Sequence, residues 1–181
     1  MVEKQLIINN RTINYKGIFL IDDIFNSINQ SLTKLGYEKQ EKKTEERVLP
    51  SGKSSYIELR PFKEKTSYVT LMIKIKINLN QVTEVVKEIQ LYKRKFMQGE
   101  VVINFDAWSI TDYENRWGMK PWAFFMKSLI NKYFYPLPLE SGFTGELVSD
   151  TNQISGNLQS LFKSYQNLES GTNSNKNIKL P

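Results

Sequence analysis

Alternation of apolar and polar side chains is clearest at residues 69–79. Val69, Leu71, Ile73, Ile75, Ile77 and Leu79 fall on one face, with Thr70, Met72, Lys74, Lys76 and Asn78 on the other. That period of two belongs to a strand with one buried face. Upstream, Gln5 to Ile8 and Thr12 to Phe19 are β-rich runs around Asn9-Asn10-Arg11, a spacing that predicts an opening hairpin. Ile24, Phe25, Ile28, Leu32 and Leu35 then recur at helical spacing. Asp22 or Asp23 stands at the N-cap and Gly36 at the C′ position. Residues 37–48 read as an exposed strand, and Pro50-Ser51-Gly52 as a turn into a second strand over Tyr56 to Arg60. Between Val82 and Phe96 both periods fit; the β-branched content and the alternation Val85, Lys87, Ile89, Leu91 favour a strand, turning near Gln98-Gly99 into a run from Val101 to Trp108.

Beyond this meander, Thr111-Asp112-Tyr113-Glu114 has capping-box spacing, and Pro121 stands at N1 of a helix expected to run to about Tyr135, with Pro136 and Pro138 ending it. Leu147, Thr151, Ile154, Leu158, Leu161, Tyr165 and Leu168 follow at alternating spacings of four and three, an amphipathic helix interrupted by Gly156. The expected fold class is α+β: a curved antiparallel meander packed on one long helix, the one from Pro121, with an N-terminal hairpin and helix and a C-terminal amphipathic helix. The expected organisation is one domain over residues 1–135, a hinge and heptad-like helix over 136–168, and a disordered tail over 169–181, where Asn, Ser, Gly and Lys dominate. This order of elements resembles the helix-grip arrangement of START-like proteins, a resemblance that carries no motif and implies enclosure of an apolar ligand.

Composition narrows the chemistry. The chain has no cysteine and no histidine, which removes thiolate nucleophiles, Cys/His zinc sites and histidine-based triads. Any general acid or base would be a shifted carboxylate, lysine or tyrosine, so an enzyme is not excluded but its options are narrow, and the balance leans away from catalysis. Lysine and arginine number 25 against 19 acids, a net charge of +6. The signs are nevertheless mixed along the chain, as in Glu38 to Arg47, the pattern of a solvated surface. The start lacks a signal-peptide core and no run approaches the roughly 20 apolar residues of a membrane span. The expected location is cytoplasmic, without a transmembrane segment.

Three groups of residues carry candidate functions. Trp117, Phe124 and Phe134 lie around or on the far side of the Pro121 helix, and Ile154, Leu158, Leu161 and Tyr165 form the heptad seam. Each set reads either as core packing or as a surface for a protein partner or for self-association, and the aromatic helix also fits a membrane interface or the lining of an apolar cavity. Lys74 and Lys76 on the wet strand face, with Lys93, Arg94 and Lys95 farther along, form a candidate nucleic-acid surface, for which edge-strand protection is the alternative. Asp106, Asp112, Glu114 and Arg116 crowd one segment and suggest a carboxylate pair or a hard-metal site, against which stand capping and ion pairing. No P-loop, GxGxxG or other cofactor motif is present, and no cofactor is expected. The leading expectation is a non-catalytic binding or adaptor protein; the alternatives are a carrier of an apolar small molecule or lipid, and an RNA-associated protein.

Overall fold

In the computed structural model, which describes residues 3–39, 41–49, 52–66, 69–89, 92–111 and 138–174, the alternating segments become six strands. They are β1 (Glu3–Phe19), β2 (Glu41–Leu49), β3 (Gly52–Leu59), β4 (Phe62–Glu64), β5 (Val69–Ile89) and β6 (Tyr92–Thr111). Among the described residues the helices are α1 (Ile21–Leu35) and α2 (Pro138–Ser174). The strands pair antiparallel in the order β1-β6-β5-β3-β2, with β4 joined to β5. This is the expected α+β class. The long helix against the sheet is α2; the helix expected over 121–135 lies outside the described residues.

Register explains why one face is core. Ile13, Ile103, Ile77 and Ile57 stand side by side across β1, β6, β5 and β3, and Tyr15, Val101 and Leu79 form a neighbouring row. All are buried together with Ile24, Ile28 and Leu32 of α1 and Leu147, Ile154, Leu158, Phe162 and Tyr165 of α2. β-branched side chains fit such pleated, crowded rows. The heptad seam is therefore inside the chain's own core: Ile154, Leu158 and Tyr165 are buried and Leu161 is partly buried against it.

The structure departs from the local signals at several places. β1 is one continuous strand against β6; the Asn9-Asn10-Arg11 turn is instead a bulge, with register shifts between Leu6 and Ile8 and between Ile8 and Arg11 and with Asn10 at φ 51°. Gln98-Gly99 lies inside β6 rather than at a turn, and β5 and β6 are joined through residues 90–91, which are outside the described set. Of residues 136–150, read as a hinge, those from Pro138 onward form the first turns of α2, and the helix continues to Ser174 where a tail was expected from residue 169. β4 is too short to show a period. α1 begins at Ile21 with Leu20 at the N-cap, so Asp22 and Asp23 instead face the helix dipole from its first turn.

Gly99 has a close-packing reason. It faces a register shift between Asn80 and Thr83, where Gln81 has φ 52°, and a Cβ on Gly99 would lie 2.9 Å from the Asn80 carbonyl oxygen. Gly99→Ala should therefore lower stability by about 1–3 kcal/mol in chemical unfolding, the usual cost of overpacking. Past this kink β3 has ended its pairing at Lys53↔Val82 and β1 its pairing at Phe19↔Met97. The remainder of β5 and the first residues of β6 run on as a two-stranded arm, from Val85↔Phe96 to Ile89↔Tyr92.

Candidate interaction surfaces

The most tightly knit side-chain cluster joins α2 to the sheet. Tyr37, just past α1, donates its hydroxyl to Asp150 Oδ2 at 3.1 Å. Lys63 on β4 reaches Glu146 Oε1 at 2.7 Å and Asp150 Oδ2 at 3.5 Å, and its Nζ lies 5.3 Å from the centre of the Tyr37 ring. Lys65 binds Glu146 at 3.0 Å and sits over Phe143. Burial and the negative charge of Asp150 push the Tyr37 phenol far above its ordinary range. Burial alone would raise Glu146, but hydrogen bonds from Lys63 and Lys65 hold it below its usual value. Two cations meet two carboxylates with each hydrogen bond answered, so the cluster is an anchor for the first turns of α2. Among the described residues no group of three or more carboxylates is arranged to hold a metal. Asp106 is buried and paired, accepting from the backbone N–H of Asn10 at 2.8 Å and meeting Lys76 at 2.9 Å; Asp112, Glu114 and Arg116 lie outside the described residues.

On the sheet face away from the helices, charge is neutralised locally. Glu58 accepts from Tyr56 at 2.7 Å and from Arg60 at 2.6 Å, and meets Lys74 at 3.4 Å. Burial opposes ionisation of Glu58, yet these hydrogen bonds and the cations keep its carboxyl below the ordinary range. Lys74 and Lys76 thus each face an acid, and that part of the sheet offers little unbalanced positive charge to a phosphate backbone. Trp117, Phe124 and Phe134 fall outside the described residues.

Two surfaces are left uncovered by the described residues. The first is the edge of β1. Among the described strands β1 pairs only with β6, and α2 covers it from Arg11, which bonds Asn152, to Tyr15, whose ring stacks on Phe162 at 4.5 Å. Lys4 to Asn9 has no such cover: Leu6 is 46% exposed and Ile7 and Ile8 are half-buried. Register continues Leu6 into Trp108, Met72 and Phe62, an apolar row across β1, β6, β5 and β4 whose members are all partly or fully exposed. The opposite edge, β2, carries exposed Lys43, Glu45 and Glu46, the charged armour that edge strands ordinarily wear. The sequence reading missed the β1 edge because it folded residues 5–19 into a hairpin.

The second open surface is the arm. Phe96 turns inward at 3% exposure, whereas Val86 is 61% exposed directly across from Lys95. Lys87 meets Glu169 of α2 at 3.7 Å. Arg94 lies over the Phe96 ring and, with Lys95, is exposed and lacks an acid within ion-pair distance among the described residues. Lys93 is placed opposite Glu88 by register.

Comparison with protein-family models, with curated proteins and with solved structures finds no match to this chain.

Proposed function

We propose that this is a non-catalytic binding protein that engages a protein strand through the edge of β1, in the first place the same edge of a second copy of itself. The supporting observation is the contrast between the two sheet edges: β2 is densely charged, whereas Lys4 to Asn9 presents backbone groups with no second strand opposite them among the described residues, beside an exposed Leu6. Strand addition would pair those backbone groups and extend the Leu6–Trp108–Met72–Phe62 row across the joint. A two-fold pairing is self-complementary, since one edge supplies both sides. The heptad helix is not assigned this role, because its seam is occupied by the sheet and α1.

Sedimentation velocity over a wide concentration range tests the reading. A concentration-dependent dimer is expected, and Leu6→Lys should weaken it by at least about tenfold without altering the far-ultraviolet spectrum. A monomer at every concentration removes self-association. Native mass spectrometry of the same sample examines the alternative, carriage of an apolar molecule between sheet and helix, which would appear as discrete excess mass.

A further inference from the structure

Independently of the β1 edge, we propose that residues 112–137 of this same chain dock on the second face of the sheet, the one turned away from α1 and α2, so that the strands are covered on both sides. Both described helices pack on the core face, yet the other face is not open. Ile110 is 1% exposed, and Thr70, beside it across the β5–β6 pair, is 4% exposed. Alternation along β6 turns Ile110 away from Ile103, Phe105 and Ala107, and it stands apart from the core that those residues share with the helices. Glu58 and Asp106 on the same outward face are buried as well. Side chains within one sheet face flank their neighbours without roofing them, and Lys4, which completes the Ile110 row, is itself exposed. Burial this deep calls for a further layer above the strands.

Connectivity names the occupant. Residue 112 follows β6 directly after Thr111, next to Ile110, and Pro138 opens α2, whose first turns are held to β4 by Lys63 and Lys65 through Glu146. β4 pairs with Thr70 to Met72, and α2 runs from there toward the arm, where Glu169 meets Lys87. Residues 112–137 therefore leave and rejoin the described fold at the same end of the sheet, and their length is free to cross its face. The helix expected from Pro121 to about Tyr135 would be about 22 Å long, against roughly 15 Å from β1 across β6 and β5 to β4 at about 4.8 Å per strand. Composition agrees: Trp117, Met119, Trp122, Phe124, Phe125 and Met126 crowd this segment, and Leu6, Trp108, Met72 and Phe62 form an apolar row beside Ile110 to receive them. Beneath such a cover Glu58 and Asp106 need the cations they already have, Arg60 and Lys74 for the first and Lys76 for the second. The other stretches outside the described residues, of which 175–181 is the longest, are too short to form a layer.

The chain has no cysteine, so single introduced thiols in the full-length protein report the cover. Thr70→Cys and Ile110→Cys should each react with a maleimide at least about a hundredfold more slowly than the exposed control Val86→Cys. Adding Trp122→Asp with Phe125→Asp should bring both thiols to within about threefold of the control while the thermal melt stays cooperative. Trp122→Ala with Phe125→Ala reads the same rates in a milder background where the charged pair fails to fold. Thiols at positions 70 and 110 that react as fast as the control overturn the proposal, as does protection unchanged in both segment variants. Rates are read at a concentration where sedimentation shows monomer, so the outcome is separate from pairing at the β1 edge. Protection confined to a dimer overturns the proposal in favour of the same segment from a second copy, and protection lost together with a discrete excess mass overturns it in favour of a bound apolar molecule.

Discussion

Leu158→Asp should leave the chain unfolded. Leu158 is fully buried on α2 among the isoleucine rows of the sheet, and a carboxylate there has no partner to offset its desolvation. Even Leu158→Ala should remove about 2–5 kcal/mol, combining lost transfer energy with an unfilled cavity, against a total stability of roughly 5–15 kcal/mol for a domain. Leu161→Asp, at a partly buried position, should cost less. Guanidinium unfolding followed by circular dichroism checks all three. A folded Leu158→Asp protein with an unchanged midpoint would return the heptad seam to the role of a partner surface.

Alkaline pH should unfold the protein well before the backbone chemistry demands it. Burial first, and neighbouring carboxylates second, raise three phenols that are almost inaccessible to solvent. Tyr15 is pushed up to about 12, with Glu169 adding to the effect of burial. Tyr37 faces Asp150, and Tyr165 donates to Asp23, and both are displaced further still. The sign follows from linkage: the fold holds these protons more tightly than the unfolded chain, so their stabilisation is complete below the ordinary phenol value of 10.0 and is lost as pH rises toward the folded values. By about pH 11 the three together should remove roughly 4 kcal/mol relative to neutral solution. Lys63, raised by its bonds to Glu146 and Asp150 against the opposing effect of burial, acts in the same direction. With no histidine and no cysteine, stability should be nearly level from about pH 6 to 9. Phenolate absorbance and circular dichroism recorded together decide it: ionisation should coincide with loss of structure, and ionisation of all the tyrosines at ordinary pH with structure intact would refute the prediction.

Period was a better guide than punctuation in this chain. The alternation at Val69 to Leu79 and the helical recurrence from Ile24 to Leu35 survive in the fold because each requires many positions to agree. The heptad at Leu147 to Leu168 named the buried side of α2, although two readings of what covers it remained. Asn9-Asn10 and Gln98-Gly99 signalled special backbone, and special backbone is there, but neither reverses the chain. Asn10 makes a bulge, and Gly99 makes room for the Asn80 carbonyl. A residue suited to positive φ or close approach marks a local need and is silent about which distant strand stands opposite. The early start of α2 has the same origin: Gly145 weakens the helix locally, while Lys63 and Lys65 fix it from a strand far away in sequence. Of the candidate surfaces, Lys93 to Lys95 were legible as a basic run, whereas the β1 edge became visible only once β1 was seen to be a single strand with one partner.

That pairing also dictates when the sheet can form. β1 is made before the other described strands, yet its register partners run from Met97 to Thr111, and Leu158 and Phe162, which share its core, emerge later still. A nascent chain therefore carries Gln5 to Ile8 without a partner until Ala107 to Ser109 have been made, and the closing contacts join segments far apart in sequence. Such non-local topology folds slowly and leaves strand edges open to wrong partners in the meantime. The lysines and glutamates of β2 protect one side of the growing sheet from that hazard; on the other side, protection has to wait for the ribosome to finish α2.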